Sequence, residues 1–576
     1  MKLAWRQYLP IVTWLPEYTR QAASKDGVAA IIVTLMLVPQ SLAYAIVAGL
    51  PPVYGLYASI LPLVAYTLLG TSKTLAVGPV AVISLMTAEA IAPLHDVGDV
   101  GTHAYVTAAA TLAFLSGLML LIMAVFRLGF LTTFLSHSVL SGFMTASGVL
   151  IVLGQLPKLL GLSVADGSLS ERFANVHYPT LWLGVGSLVL LALGRRYLSS
   201  FLQTLGCPMS WASHITKLLP VIVMVVSILL VYSFPNSTQG VSVVGAIPSG
   251  LPSFVMPVFE TNLVVQLLPA ALLISVVGFV ESASVGQTLA AKRRQRIEPN
   301  QELIALGGAN IASAIQGGFP VTGGLSRSVV NYDAGAETPL AGMLTAIGIG
   351  ITVLYFTPLF SYLPHAVLAA IIIVAVSALI DFKAIFTTWR AAKSDGVVML
   401  STIVGVLFIN IEWGIIIGVL LSLVIFLWRT SQPHIAVVGL IEGSEHFRNV
   451  QRFQVKQSKT VLTLRIDESL YFANARYLED KIPEYLASYP ETQHLVLMLS
   501  GVNRIDSSAL ESLHLIAERV AQSGITMHLS EVKGPVMDEI QRSTFLEHFT
   551  GQIFISQFQA FSHLTQAEHL DEGWRI

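Results

Sequence analysis

Long apolar stretches separated by short turns rich in Gly, Pro and Asn fill the first three quarters of the chain. Leu128–Pro157 and Leu218–Phe259 contain no charged residue, and Gly396–Trp428 contains only Glu412. A hydrocarbon layer needs about 20 apolar residues per helix. Cutting at the Gly/Pro/Asn clusters predicts helices near 27–48, 54–69, 79–92, 104–126, 130–155, 180–193 and 217–233. A second set follows near 264–289, 301–316, 325–336, 338–357, 364–380, 396–411 and 413–429. The stretches 79–92 and 325–336 are too short to cross alone.

Those two short segments hold matching places. Helix one is expected to break at Pro39, and Val77-Gly78-Pro79 follows some 40 residues later. Helix eight carries Glu281, and Thr322-Gly323-Gly324 follows at a similar distance. Each half therefore places an interrupted span third. Seven is an odd number, so the second half enters the membrane from the opposite side, which is an inverted repeat with its site near the midplane. The helices continuing from Pro79 and from Leu325 then point their N-termini at one another.

A helix N-terminus presents unpaired N–H groups and about half a positive charge. Two of them converging beside the Arg327 guanidinium make an anion site that needs no metal. Irregular backbone at this depth is tolerated where it lines a cavity. Glu281 lies mid-helix with Ser284 and Thr288 on its face, and an intramembrane carboxylate is costly unless paired or protonated. Arg327 is its expected partner, in a proton-coupling pair or in a purely structural tie. His137 is expected to be packed and neutral.

Charge divides the chain. From Ser431 onward there are 12 Lys+Arg and 18 Asp+Glu, leaving 20 and 16 in the first 430 residues. The whole chain is 54% hydrophobic and 11% charged, against roughly 25% charged residues in a soluble protein. These figures exclude a soluble enzyme, a secreted disulfide scaffold and a disordered chain. Cys207 is the single cysteine, so there is no internal disulfide and no cysteine zinc site. Thirteen basic residues, from Lys73 and Arg127 to Lys393 and Arg429, fall in the loops of one side. The other side holds only Lys158 and Arg172. The excess marks the cytoplasmic face, so the N-terminus and the charged tail are expected in the cytoplasm, on the inner side of the cell membrane. Lys25, the run Val28–Leu37 and Ala43-Tyr44-Ala45 imitate a cleaved leader, a reading rejected because thirteen further spans follow.

Four motifs in order make the chain similar to the sulfate permease family, relatives of the anion exchangers of solute carrier family 26. Pro39-Gln40-Ser41-Leu42-Ala43-Tyr44-Ala45, Pro51-Pro52-Val53-Tyr54-Gly55-Leu56-Tyr57 and Val77-Gly78-Pro79-Val80-Ala81 resemble its first three membrane segments. Ser326-Arg327-Ser328-Val329-Val330-Asn331-Tyr332-Asp333-Ala334-Gly335-Ala336 resembles its tenth. The resemblance implies fourteen helices sorted into core and gate domains, a homodimer, and an anion held between the third and tenth helices. Carried over by residue, its contacts are Gln40, Tyr44, Val80, Leu325, Ser326 and Arg327; Gly78, Pro79, Ala81 and Gly324 complete the expected substrate-binding set. Relatives often carry serine where this chain has Gly324, whose backbone N–H is then the available donor.

The tail alternates strand and helix: Thr460–Ile466, Asn474–Ser488, His494–Leu499, Ser508–Ser523 and Ile525–Leu529. This predicts an α/β layer domain that resembles the STAS domain of the same family. Ser507 and Ser508 match a loop phosphorylated in soluble relatives, although Asp506 and these serines also read as a helix cap. The expected organisation is an N-terminal segment 1–26, a transport domain 27–430, a linker 431–449 and a STAS domain 450–576. The expected function is H⁺-coupled uptake of a small inorganic oxyanion, sulfate favoured, by elevator-like alternating access. Bicarbonate or dicarboxylate transport, Na⁺ coupling and uncoupled exchange are the alternatives. Neither a cofactor nor nucleic acid is expected as a partner; lipid, H⁺ and a cytoplasmic protein on the STAS domain are.

Overall fold

The computed structural model describes residues 9–93, 102–133, 136–162, 176–248 and 250–572; Arg172, assigned above to the outer side, lies outside them. The chain divides into two compact units, one up to Val419 and one from Leu420 onward.

The first unit is helical, and its last helix runs on past Val419 into the second. Its first half holds α1 (Arg20–Val47), α2 (Leu61–Leu69), strand β1 (Val77–Gly78), α3 (Ala81–Ile91), α4 (Thr102–Val125), α5 (His137–Leu160), α6 (Tyr178–Leu193), α7 (Met209–Lys217) and α8 (Leu219–Ser233). The second half holds α9 (Thr261–Lys292), α10 (Pro299–Ile315), strand β2 (Thr322–Gly323), α11 (Leu325–Asp333), α12 (Leu340–Tyr355), α13 (His365–Val376), α14 (Lys393–Phe408) and α15 (Ile411–Thr430). Among the described residues, six helices are long and apolar enough to cross a membrane alone, and five apolar helical stretches are shorter.

Helix α1 begins where Thr19 accepts a hydrogen bond from the Ala22 N–H at 3.2 Å. It runs through Pro39 without interruption, which corrects the expected break. Proline removes one backbone donor, and within a packed apolar helix the neighbouring bonds hold the remaining turns. His137 is exposed rather than packed. Helices α4 and α10 approach closely because Gly117 and Gly307 face each other. A Cβ on Gly117 would lie 2.8 Å from the Gly307 carbonyl oxygen, the small-residue contact by which membrane helices pack without water to drive them together.

The decisive feature is small. Strands β1 and β2 pair antiparallel, Val77 with Gly323 and Gly78 with Thr322. Each strand leads directly into a half-length helix, α3 or α11, and antiparallel pairing is what an inverted relation between the two segments requires.

The second unit is a six-stranded sheet with helices. Its elements are β3 (Ile435–Leu440), β4 (Phe447–Asn449), β5 (Val461–Ile466), α16 (Phe472–Ser488), β6 (His494–Met498), α17 (Ser507–Gln522), β7 (Thr526–Ser530), α18 (Gly534–Arg542), β8 (Ile553–Phe554) and α19 (Gln557–Glu572). The strand order is β4-β3-β5-β6-β7-β8. Strands β5 to β8 are parallel, while β3 is antiparallel to both β4 and β5. The stretch 431–449, expected as a linker, therefore supplies two strands of the sheet. Ala436 and Val438 alternate inward along β3 and pack with Phe447, a period-two pattern too short to stand out from its polar surroundings.

Candidate anion site between two half-helices

The β1–β2 ladder fixes both half-helix N-termini at one place. The Gly324 N–H donates to the Ala76 carbonyl at 3.1 Å, and the Ala76 N–H donates to Ser328 Oγ at 3.0 Å. Asn331 Nδ2 donates to the Thr74 carbonyl at 3.1 Å. Four bonds to Glu302, which is 1% exposed, anchor the turn leading into β1. Its Oε1 accepts from the Thr71 N–H at 2.9 Å, Thr71 Oγ1 at 2.5 Å and the Ser72 N–H at 3.2 Å; its Oε2 accepts from Tyr66 Oη at 2.7 Å. A buried carboxylate so surrounded is satisfied without a cation. The sequence reading missed Glu302, whose place in the first turn of α10 resembles any solvated helix start.

Beside the ladder lies a cavity of about 50 Å³ lined by Gln40, Tyr44, Val80, Ala81, Glu281, Gly324, Leu325, Ser326 and Arg327. Eight of the ten sequence-predicted site residues thus line one space, together with Glu281. The other two act from behind. The Pro79 carbonyl accepts from Arg327 Nη1 at 2.5 Å, and Gly78 backs the guanidinium, where a Cβ would sit 3.5 Å from Nη1. The remaining wall is Val82 with Ala375, Val376 and Leu379. These last three had no sequence signal, because apolar residues on an apolar span look the same whether they face lipid or a site.

Arg327 is 2% exposed. Its Nε and Nη2 are buried with no hydrogen-bond partner, and leaving such donors unsatisfied is costly. The expected Glu281 pair is absent: among the described residues no ion pair joins Arg327 to a carboxylate. The α11 backbone instead directs one arm of the guanidinium to a carbonyl across the ladder and leaves the rest free. Ser284 and Thr288, expected to share the face of Glu281 toward the site, are exposed and line no part of the cavity. A Cβ on Gly324 would lie 2.9 Å from Arg327 Nη2, so a larger residue here has to displace the end of the guanidinium.

A second cavity of about 380 Å³ shares Gln40, Leu325, Ser326, Ala375 and Leu379 with the first and reaches Arg195 and Lys217. Lys217 Nζ is bridged to Asp333 at 2.9 Å. The site therefore has one wide approach with basic residues at its rim.

Residues 24–402 match the model of the sulfate permease family, and residues 452–560 match the STAS domain. The chain belongs to the sulfate permease family. It is a multi-pass membrane protein with a C-terminal STAS domain. It is 35% identical over 558 residues to sulfate transporter 4.1, chloroplastic, of Arabidopsis thaliana, covering 93% of this chain and 79% of that one. It is 32% identical over 572 residues to high affinity sulfate transporter 2 of Stylosanthes hamata, covering 95% and 84%. The fold matches murine Slc26a9, an anion transporter solved in its inward-facing state, with a TM-score of 0.87 at 24% identity over 98% of this chain and 95% of that one.

In the STAS domain Asp506 caps α17, accepting from the Ala509 N–H at 2.9 Å, and also accepts from the Phe472 N–H at 2.8 Å. Ser507 and Ser508 are exposed on the first turn. Farther along, the His528 ring sits between the Gln552 N–H, which donates to its Nδ1 at 3.1 Å, and His494 Nδ1, 3.2 Å from its Nε2. Burial first, then the neighbouring His494 and His563, push its pKa down to about 4.

Proposed function

We propose that this protein is a secondary active transporter that carries a small inorganic oxyanion, sulfate favoured, together with H⁺, by elevator-like alternating access. The observation that carries this reading is Arg327: a buried guanidinium at the meeting point of two helix N-termini, with two donors unpartnered. A tetrahedral oxyanion has enough acceptors to take both, plus the N–H groups that open α3 and α11. Gln40, Tyr44 and Ser326 would add polar contacts, and Val80, Ala81, Gly324 and Leu325 the walls. The sulfate transporters of Arabidopsis thaliana and Stylosanthes hamata, similar over nearly the whole chain, favour sulfate over bicarbonate or a dicarboxylate.

Glu281 would hold the coupling proton. It lines the cavity, is 9% exposed and pairs with no cation among the described residues. Its charge is left to be balanced by H⁺ or offset through space by Arg327. The wide cavity rimmed by Arg195 and Lys217 would be the cytoplasmic vestibule, with the N-terminus and STAS domain on that side of the cell membrane. Homodimerisation, a cytoplasmic partner for the STAS domain and phosphorylation of Ser507 or Ser508 belong to the same proposal.

Tracer sulfate uptake into proteoliposomes tests it. Wild-type uptake should rise as external pH falls and be indifferent to replacing Na⁺ with choline. Glu281→Gln should keep sulfate counterflow and lose accumulation driven by a pH gradient. Full pH-driven accumulation by the variant, or a Na⁺ requirement in the wild type, would replace H⁺ symport with a Na⁺-coupled or uncoupled carrier. Stronger competition by bicarbonate than by sulfate would change the substrate.

A further inference from the structure

Two hydroxyls behind the cavity form a chain whose direction is fixed by its ends. The Gly323 N–H donates to Ser282 Oγ at 2.8 Å, and Thr322 Oγ1 donates to the Gly278 carbonyl at 2.6 Å. The Ser282 and Thr322 oxygens are 2.5 Å apart. Because the Thr322 proton is committed to Gly278, the Ser282 proton must go to Thr322. The order is therefore Gly323 N–H to Ser282, Ser282 to Thr322, and Thr322 to the Gly278 carbonyl. Ser282 is 1% and Thr322 2% exposed, so no water substitutes for a lost member. Gly278 permits the approach, since a Cβ there would meet Thr322 Oγ1 at 3.2 Å.

The two ends of this relay belong to different parts of the machinery. Gly278 and Ser282 are one turn of α9, and Glu281 is on that turn. Thr322 and Gly323 are β2, which pairs with β1 and runs through Gly324 into α11 and Arg327. We propose that Ser282 and Thr322 are positioning residues that lock the turn carrying Glu281 to the ladder carrying Arg327. Proton occupancy of one residue and anion occupancy of the other are thereby felt at a constant separation. Neither residue lines the cavity, so neither contacts the anion. The inference rests on Glu281 holding the coupling proton. If the relay is cut, the turn and the ladder shift independently, and the charge–charge interaction that links the two sites weakens with distance.

The test uses the full-length protein in proteoliposomes, with tracer sulfate uptake measured across a series of external pH values. Thr322→Val keeps the shape of the side chain and removes the hydroxyl; Thr322→Ser keeps the hydroxyl and removes the methyl; Ser282→Ala cuts the relay from the other side. Thr322→Val and Ser282→Ala should raise the half-saturating sulfate concentration about tenfold, the size of change open to a residue that couples two sites without touching either ligand. They should also flatten its dependence on pH, with the maximal rate reduced by much less. Thr322→Ser should behave as wild type. Equal impairment of Thr322→Ser and Thr322→Val would assign the effect to methyl packing and overturn the proposal. So would a fall in maximal rate with an unchanged pH profile, or wild-type behaviour of Thr322→Val. If wild-type uptake proves independent of pH, the proton-coupling reading fails separately, and a sulfate affinity that Thr322→Val lowers and Thr322→Ser preserves would still uphold the relay's hold on Arg327.

Discussion

Arg327 Nη1 donates to the Pro79 carbonyl at 2.5 Å, so the cation of one half-helix is held by the backbone that opens the other. The bond crosses the β1–β2 ladder and joins residues 248 positions apart in the chain. It also determines which donors remain for an anion, because it occupies a single nitrogen of the guanidinium.

The first prediction concerns that geometry. Arg327→Ala should abolish concentrative sulfate uptake while leaving the protein folded, a loss of about 3–5 kcal/mol if the bound anion is left without its buried partner. Arg327→Lys should recover little of it, because a lysine offers a point charge in place of a fork that bonds Pro79 and an anion together. Near wild-type sulfate binding by Arg327→Ala, measured by calorimetry on the purified protein, would remove the site from this place.

A second prediction tests the packing that supports the site. Gly307→Val puts a branched side chain where a Cβ already falls 3.0 Å from the Gly117 carbonyl oxygen. The helices α4 and α10 must separate, and the expected destabilisation is about 1–3 kcal/mol or more. Thermal unfolding in detergent reads it directly.

Much of this arrangement was legible in the sequence, and the reason is physical. Gly and Pro at 78, 79, 323 and 324 interrupt apolar stretches too short to span, and lipid tolerates such interruptions only around a cavity. Arg327 and Glu281 were visible because ionised groups are rare in spans. Their relationship was not. Periodicity places residues on faces, but whether Arg327 reaches Glu281 or a carbonyl depends on the ladder, and a two-residue strand leaves no periodic trace. Ala375, Val376 and Leu379 were invisible for the opposite reason, being ordinary apolar residues at the end of α13 and in the turn after it. In the STAS domain, strands β5 to β7 were each read to within a residue at either end. Strands β3 and β4 were hidden by the polar residues around them.

The third prediction follows from those two strands. Truncation after Thr430 removes the whole sheet and should leave a protein that inserts and binds sulfate. Truncation after Asn449 retains β3 and β4 with the edge of β3 bared where β5 had paired with it. Exposed edges template association between chains, so this longer product should express less and elute as aggregate. Size-exclusion profiles of the two, side by side, decide it. Loss of sulfate binding in the shorter, monodisperse product would move part of the site into the tail.

The fourth concerns acidity. His528 is held neutral, with its pKa down to about 4, against about 6.5 when unfolded. The unfolded chain therefore binds more protons between these values, so the stability of the STAS domain should fall as pH drops from 6.5 toward 4. The loss should be no more than about 3 kcal/mol. Protonation would set a ring N–H against the Gln552 N–H that now donates to Nδ1. Hydrogen exchange in β7 and around Gln552 in the full-length protein, corrected for the intrinsic effect of pH, should accelerate over this range. The acceleration should be smaller in His528→Phe. Equal pH dependence in both would assign the acid sensitivity elsewhere.

The two-residue ladder also bears on how the protein is made. When β1 has left the ribosome, β2 is still some 244 residues of synthesis away. Until then Val77 and Gly78 hold backbone N–H and C=O groups that hydrocarbon cannot satisfy. A nascent chain halted after α8 therefore carries unsatisfied backbone groups at membrane depth. Closure comes before α12, α13 and α14 have packed against α1 and α5, so the ladder ties the two repeats together while the second is still being made.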